Sequence, residues 1–147
     1  MQWLFKRIFL RNFLRKDTPV ISIDDAFAQK HNYIFLDARE RNEFEISHIK
    51  SAAYVGFEDF NMMRLKNIKK DEQIIVYCSV GLRSDRITRK LIDAGYVNAK
   101  NLYGGIFEWL NKDFEIVDVQ EMETKNIHPF NKKFGAWLNK GIKVYNK

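Results

Sequence analysis

The sequence predicts a three-layer α/β fold, in which a five-stranded parallel sheet carries helices on both faces. Two observations support this prediction. Beyond Thr18, short apolar runs alternate with segments of helical spacing, an order typical of strand and helix units in a parallel sheet. The run "QIIVY" at residues 73–77 is almost continuously apolar, as expected for a central strand that is buried on both faces. A chain of 147 residues is also long enough to bury a core as one domain.

The elements follow from local patterns along the chain. Strands are predicted at VISI (20–23), NYIFLD (32–37), AAYV (52–55), QIIVYC (73–78) and KNLYGG (100–105). The first helix opens at Ser22, which together with Asp25 three residues on resembles a capping box. Further helical segments are predicted at 40–45 and 57–65, from the end of the fourth strand to Gly95, and at 106–110. Gly95 suits a helix end because glycine tolerates the left-handed conformation found there.

The net charge of +6 is concentrated at the two ends of the chain. Residues 1–17 carry five Lys or Arg against one acid, and residues 120–147 carry six against two. The part between them is slightly acidic, with fourteen basic residues against sixteen acids. This distribution argues against a nucleic-acid groove across the main domain. Two basic ends are instead compatible with contact to an anionic surface such as lipid head groups.

These charges divide the chain into three predicted parts. Residues 1–17 form a basic, apolar N-terminal arm, 18–113 the α/β domain, and 114–147 a basic amphipathic C-terminal extension. The arm has no apolar run longer than three residues, because basic residues interrupt it. It therefore predicts neither a membrane span nor a secretory signal. The single cysteine, Cys78, forms no internal disulfide, which favours a cytoplasmic location, with membrane-peripheral contact as an alternative. His31, His48 and His128 lie far apart, and no zinc-ligand spacing is present.

The stretch "YCSVGLRSDR" (77–86) places Cys78 where the central strand ends and a helix begins. Ligands of open α/β sheets bind at the carboxyl ends of the strands, and helix N-termini offer unpaired N–H groups to anions. Gly81 allows a tight turn that points successive amides at one centre. Arg83 and Arg86 add positive charge, so we expect the thiol to ionise more readily than a free cysteine. The alternative is a buried, inert cysteine.

Three ordered motifs resemble the single-domain rhodanese family. The segment "LDARERNEFEISHIKSAAYV" (36–55) is similar to the leading motif of the family, "YCSVGLRS" (77–84) to its active-site loop, and "NLYGGIFEW" (101–109) to its closing motif. The resemblance covers about residues 18–113. Lys50 and Ser51 depart from it, since the family often carries proline and glycine there. This departure affects the local turn and not the active site.

The resemblance implies a rhodanese-like fold and a thiosulfate sulfurtransferase-like activity. Cys78 would take sulfane sulfur from an anionic donor such as thiosulfate, form a persulfide, and pass the sulfur to a thiol or to cyanide. The loop residues would bind substrate through their amides: Ser79, Val80, Gly81, Leu82 and Arg83. No metal or organic cofactor is required. The supporting residues would be Asp37, Arg39, His48 and Arg86.

Several roles stay open at this point. Arg83 would either attract the donor anion or brace the loop against a carboxylate such as Asp37. Arg39 would pair locally with Glu40, and His48 would hydrogen-bond the adjoining loop.

A cysteine-dependent phosphatase is a less favoured alternative function. Such enzymes place five residues between the cysteine and the arginine, and this chain has four. They also usually carry histidine where this chain has Tyr77. The shorter loop should close around a smaller centre than a phosphate, which favours sulfur transfer.

The C-terminal extension predicts an amphipathic helix over residues 129–145. Its apolar face would carry Phe130, Phe134, Trp137, Leu138, Ile142 and Tyr145, and its other face Lys132, Lys133, Lys140 and Lys143. Gly135 and Gly141 would each cost this helix about 1 kcal/mol relative to alanine, so it needs a surface on which to form. That surface is either the domain itself, or a membrane or partner protein. The second case makes the protein a non-enzymatic persulfide carrier or docking module.

Overall fold

The computed structural model describes residues 9, 10, 14, 15 and 17–145. Its central feature is a five-stranded sheet in which every pair of neighbouring strands is parallel. The sheet contains β1 (Val20–Ile21), β2 (Ile34–Asp37), β4 (Ala53–Tyr54), β5 (Ile74–Tyr77) and β6 (Ala99–Leu102), in the order β1-β6-β5-β2-β4. The predicted fold class is therefore confirmed, and β5 is the central strand.

Helices cover both faces of this sheet. The covering helices are α1 (Ile23–Ala28), α3 (Leu82–Asp93) and α4 (Gly105–Asn111). A further helix, α2 (Arg41–Ile46), follows β2, and 3₁₀ turns lie at Lys30–Asn32 and Met62–Leu65. Alternate residues of a strand point to opposite faces, and the core divides accordingly. Ile75 belongs to a buried cluster with residues of α1 and α4, whereas Val76 belongs to a second cluster with Ile87 and Leu91 of α3. The predicted three layers are thus present.

Two local predictions have different outcomes. The Ser22 hydroxyl accepts a hydrogen bond from the Asp25 amide (3.1 Å), which confirms the predicted helix start and explains why β1 ends at Ile21. The helix predicted at 57–65 is only the 3₁₀ turn Met62–Leu65. Phe57 and Phe60 still pack against the core, although their backbone is irregular. The helix-like spacing of these apolar residues therefore came from their burial and not from a helix.

The chain after α4 adds short elements around the edge of the domain. β3 (His48–Ile49) pairs antiparallel with β7 (Ile116–Val117), which pairs with β8 (Glu123–Thr124). β9 (Asn126–Ile127) pairs in parallel with β10 (Ile142–Lys143), and the single helical turn α5 (Lys132–Gly135) lies between them.

The continuous helix predicted over residues 129–145 is wrong, for a reason visible at its glycines. Gly141 has a φ of +94°, a conformation that ends helices, and the chain then continues as a strand. Trp137 and Leu138 are buried in the main core, while Ile142 and Tyr145 are exposed. The extension therefore packs on the domain through part of its apolar side chains.

Most of the predicted N-terminal arm lies outside the described residues. Of its described part, Leu10 is buried in the core and Phe9 meets Trp137 edge to face, with ring centroids 5.2 Å apart. No helix in the described part of the chain has the length and apolar character needed to cross a membrane.

Candidate active site

The loop from Cys78 to Arg83, here called the cradle loop, connects the central strand β5 to helix α3. Cys78 directly follows the last residue of β5, and α3 begins four residues later at Leu82. Gly81 at the helix start has a φ of +114°, which a residue with a side chain rarely adopts. The predicted position of Cys78, at the carboxyl end of a central strand and before a helix, is confirmed. Its side chain is only 1% exposed.

The Cys78 sulfur is surrounded by hydrogen-bond donors. The amides of Gly81 and Ser84 point at Sγ from 3.2 and 3.4 Å, and the Ser84 hydroxyl lies 3.3 Å away. Two of these donors are backbone groups of the first helical turn, which have no partner within the helix. Such an arrangement stabilises negative charge on the sulfur.

Helix α4 fixes the cradle loop from its outer side. The amides of Ile106 and Phe107 donate to the carbonyls of Cys78 and Ser79, at 2.9 and 3.1 Å. Gly105 permits this close approach, because a Cβ atom at that position would lie 2.6 Å from the Cys78 carbonyl oxygen. Holding the carbonyls outward leaves the amides of the loop free to face the sulfur. Gly105 of the closing motif therefore has a direct role in the loop geometry.

Arg83 braces the cradle loop against helix α2. Its guanidinium contacts both carboxylate oxygens of Glu43, at 2.7 and 3.0 Å, and the Ser79 hydroxyl at 3.0 Å. Although burial raises the pKa of Glu43, the hydrogen bonds and charge of Arg83, with the charge of Arg39, lower that pKa below its ordinary value. The predicted brace partner, Asp37, is wrong, because Glu43 is the carboxylate that reaches Arg83.

Asp37 is instead paired with Arg39. Both side chains are fully buried, and Arg39 Nε and Nη2 contact the two Asp37 oxygens at 3.0 and 2.7 Å. Arg39 also donates to the Ser47 carbonyl at 2.6 Å. Burial lowers the pKa of Arg39, but the charge and hydrogen bonds of Asp37 outweigh this effect and raise it above its ordinary value. The predicted pairing of Arg39 with Glu40 is wrong, because the carboxylate that contacts Arg39 is that of Asp37.

His48 and Arg86 do not join this cluster. His48 Nδ1 lies 3.0 Å from the Phe44 carbonyl, its ring stacks on Phe44, and Nε2 lies 3.7 Å from Glu121. Arg86 is exposed on α3 and lines a hollow beside the cradle loop together with Arg15. Neither side chain contacts Cys78 among the described residues. Arg86 therefore has no direct contact with the sulfur. The predicted hydrogen bond of His48 to the adjoining loop is replaced by its contact with the Phe44 carbonyl of α2.

Besides Glu43, four residues near the site were not predicted as site residues. Ser84 and Asn101 are fully buried, and the Ser84 hydroxyl lies 2.6 Å from Asn101 Oδ1. Phe130 of the C-terminal extension covers Arg83, with its ring centroid 4.3 Å from the guanidinium carbon. Burial lowers the pKa of the neighbouring His128, whose Nδ1 accepts a hydrogen bond from the Phe130 amide (3.0 Å). Ser84 and Asn101 lie within the quoted motifs, whereas His128 and Phe130 lie outside them.

A buried cysteine whose sulfur faces two backbone amides and one hydroxyl, at the carboxyl end of a central parallel strand, defines the class of site: a cysteine held in an anion-stabilising loop. The model of the rhodanese-like domain matches residues 13–112. The chain therefore belongs to the rhodanese-like domain family.

Individual relatives agree with this assignment. Rhodanese-like domain-containing protein 17 of Arabidopsis thaliana is 31% identical over 125 residues, which is 74% of this chain and 80% of that protein. "Adenylyltransferase and sulfurtransferase UBA4" of Saccharomyces cerevisiae is 33% identical over 98 residues, or 60% of this chain, but the match spans only 22% of the yeast protein.

Solved structures share the fold at lower identity. The rhodanese-like domain of the Alr3790 protein from Anabaena superimposes with a TM-score of 0.64 at 18% identity, over 88% of this chain and 90% of that one. A thiosulfate sulfurtransferase from Pseudomonas aeruginosa gives a TM-score of 0.64 at 20% identity, over 82% of this chain and 23% of that one.

Proposed function

We propose that the protein is a sulfurtransferase that carries sulfane sulfur as a persulfide on Cys78. The observation that supports this most strongly is the ring of donors on Sγ, formed by the amides of Gly81 and Ser84 and the Ser84 hydroxyl. Similarity to proteins whose names include sulfurtransferase is in agreement.

The first step is attack of the Cys78 thiolate on the outer sulfur of an anionic donor such as thiosulfate. A bond forms between Sγ and that sulfur, the sulfur–sulfur bond of thiosulfate breaks, and sulfite leaves with the bonding electron pair. The persulfide retains one negative charge. Amides of the cradle loop, residues 79–83, stabilise that charge without reorganising, because helices α3 and α4 already hold the loop in place.

The second step returns Cys78 to its starting state. A thiolate or cyanide acceptor attacks the outer sulfur, and the bond between this sulfur and Sγ breaks with its electrons returning to Cys78. Donor and acceptor thus use the same anion-stabilising loop in turn. A compartment that keeps thiols reduced, such as the cytoplasm, suits this cycle.

Arg83 acts in this account as a brace and not as the donor-binding cation. Its guanidinium is already engaged by Glu43, by the Ser79 hydroxyl and by the Phe130 ring. Recruiting an anion to it would compete with a buried carboxylate. Burial lowers the pKa of Arg83, but the Glu43 hydrogen bond and the charges of Cys78 and Glu43 outweigh this effect and raise that pKa above its ordinary value.

Sulfur transfer from thiosulfate to cyanide and to a series of thiols, followed as sulfite release, tests this function. The wild-type protein should turn over with at least one acceptor, and Cys78→Ser should not. Cys78-dependent hydrolysis of an aryl phosphate in the absence of sulfite release would favour the phosphatase alternative instead.

A second candidate function is delivery of the persulfide to a docked partner protein. It is favoured by two exposed aromatic side chains of the C-terminal extension that flank His128: Phe130, which covers Arg83, is 40% exposed and Tyr145 is 43% exposed. Lys132 and Lys133 follow Phe130 in sequence. A partner with an acidic surface around its acceptor thiol would complement the surface formed by Phe130, Lys132 and Lys133.

A further inference from the structure

Ser84 stands between two acceptors that compete for its single proton. Its Oγ lies 3.3 Å from Cys78 Sγ and 2.6 Å from Oδ1 of Asn101 on the neighbouring strand. All three side chains are at most 1% exposed. Water therefore has little access to replace whichever contact lacks the proton.

The orientation of Asn101 decides where the Ser84 proton lies in the thiol state. Its Nδ2 donates to the Gly81 carbonyl at 3.0 Å, so Oδ1 is the atom that faces Ser84. An amide oxygen at 2.6 Å is a stronger acceptor than a neutral thiol sulfur at 3.3 Å. With its proton on Asn101, Ser84 Oγ is free to accept the S–H proton of Cys78.

Ionisation of Cys78 reverses this preference. The thiol proton leaves to water or buffer base, and the negatively charged sulfur becomes the stronger acceptor. Rotation of the Ser84 hydroxyl then adds a third donor to the two amides already on Sγ. Asn101 Oδ1 loses its Ser84 partner at the same time.

We propose that Ser84 is a catalytic residue whose hydroxyl turns from Asn101 to sulfur when Cys78 becomes a thiolate or persulfide, and that Asn101 is a positioning residue that restrains this turn. Asn101 thereby favours the thiol form of Cys78, and Ser84 favours its anionic forms. The role in the persulfide rests on the function proposed above, whereas the competition for the proton does not.

The variants have effects of opposite sign on the pH midpoint of iodoacetamide labelling at Cys78. Ser84→Ala removes a donor to the thiolate, so the midpoint should rise by about one pH unit, a tenfold loss of thiolate. Asn101→Leu removes the competing acceptor and should lower the midpoint. The Gly81 carbonyl still accepts the Asp85 amide at 3.2 Å in that variant.

The double variant and a control make this test specific. In the Ser84→Ala background, Asn101→Leu should have no further effect, because no hydroxyl proton remains to be divided. Thr88→Val removes a neighbouring buried hydroxyl, which donates to the Ser84 carbonyl at 2.7 Å, and should leave the midpoint unchanged. The surrounding ionisable groups are the same in every variant: Arg39, Glu43, Arg83, Asp85 and His128.

Three results would overturn the proposal. The two single variants could shift the labelling midpoint in the same direction, or leave it unchanged, or Asn101→Leu could still shift it in the Ser84→Ala background. Asn101→Ala replaces the leucine variant if that protein does not fold. Iodoacetamide labelling needs no sulfur donor, so this test decides the role of the Ser84 hydroxyl whether or not the protein transfers sulfur. Failure of the wild-type protein to gain sulfur from thiosulfate would count separately, against the proposed function.

Discussion

Arg83 and Glu43 form a bidentate ion pair that ties the cradle loop to helix α2, across 40 positions of sequence. Glu43 is 2% and Arg83 13% exposed at the side chain. Neither charge is well hydrated, so each depends on the other. The geometry of the loop around Cys78 therefore rests partly on a residue from the opposite side of the site.

Glu43→Gln should lower the free energy of unfolding by about 3 kcal/mol, because it leaves the Arg83 charge unpaired in a largely buried position. Urea unfolding measures this loss. Glu45→Gln makes the same change of charge on the same helix, away from Arg83, and should cost less than about 1 kcal/mol. Equal effects of the two substitutions would show that the ion pair is not what stabilises the loop.

Gly105→Ala should disrupt the cradle loop more than it strains its own backbone. The added Cβ would lie 2.6 Å from the Cys78 carbonyl oxygen, so the loop has to move. Gly95→Ala is the matched control, since Gly95 also has a positive φ but its Cβ would lie 3.6 Å from the nearest atom, on Lys70. Rates of sulfur loading at Cys78 should fall for Gly105→Ala alone. The control should lose only about 1 kcal/mol of stability to backbone strain.

The stability of the domain should fall with acidification from pH 7.5 to pH 5.5, because protonation of His128 favours the unfolded chain. Burial lowers the pKa of this ring from 6.5, so the unfolded chain binds the proton first. Stability is complete above pH 6.5 and is lost as the pH falls toward the lowered value. His128→Asn retains an acceptor for the Phe130 amide but does not titrate. The free energy of unfolding of this variant should change less over this pH range than that of the wild-type protein. An unchanged slope in that variant would exclude His128 as the cause.

Trp137→Ala should destabilise the whole domain by about 3 kcal/mol, because Trp137 is 9% exposed and belongs to the main core. Ile142→Ala, at a side chain that is 61% exposed, should change stability by less than about 0.5 kcal/mol. Chemical unfolding of both variants tests whether the extension is held to the domain by this face. An unaltered midpoint for Trp137→Ala would favour a docking role for the extension instead.

Features encoded by neighbouring residues could be predicted from the sequence. The Ser22 cap, the buried strand ending at Tyr77 and the turn at Gly81 each depend on local spacing, and each lies where it was predicted. The pairing of Arg83 with Glu43 could not be predicted in this way. Several carboxylates lie in residues 37–45, and only the tertiary fold determines which of them points at the cradle loop.

The C-terminal extension was predicted less well for a physical reason. Its apolar residues do follow helical spacing, yet Gly135 and Gly141 weaken a helix, and pairing of β9 with β10 gives the backbone other hydrogen bonds. The contact of Phe130 with Arg83 depends on that irregular path. No local pattern around residue 130 indicates a place beside the active site.

The intact mass of the protein after incubation with thiosulfate tests the central claim most directly. A persulfide on Cys78 adds one sulfur atom, about 32 Da, which cyanide should remove. Cys78→Ser should gain no mass, since a serine hydroxyl is not ionised near neutral pH and the sequence has no other thiol. An unchanged mass of the wild-type protein with thiosulfate and with mercaptopyruvate, at a pH where iodoacetamide labels Cys78, would contradict the account.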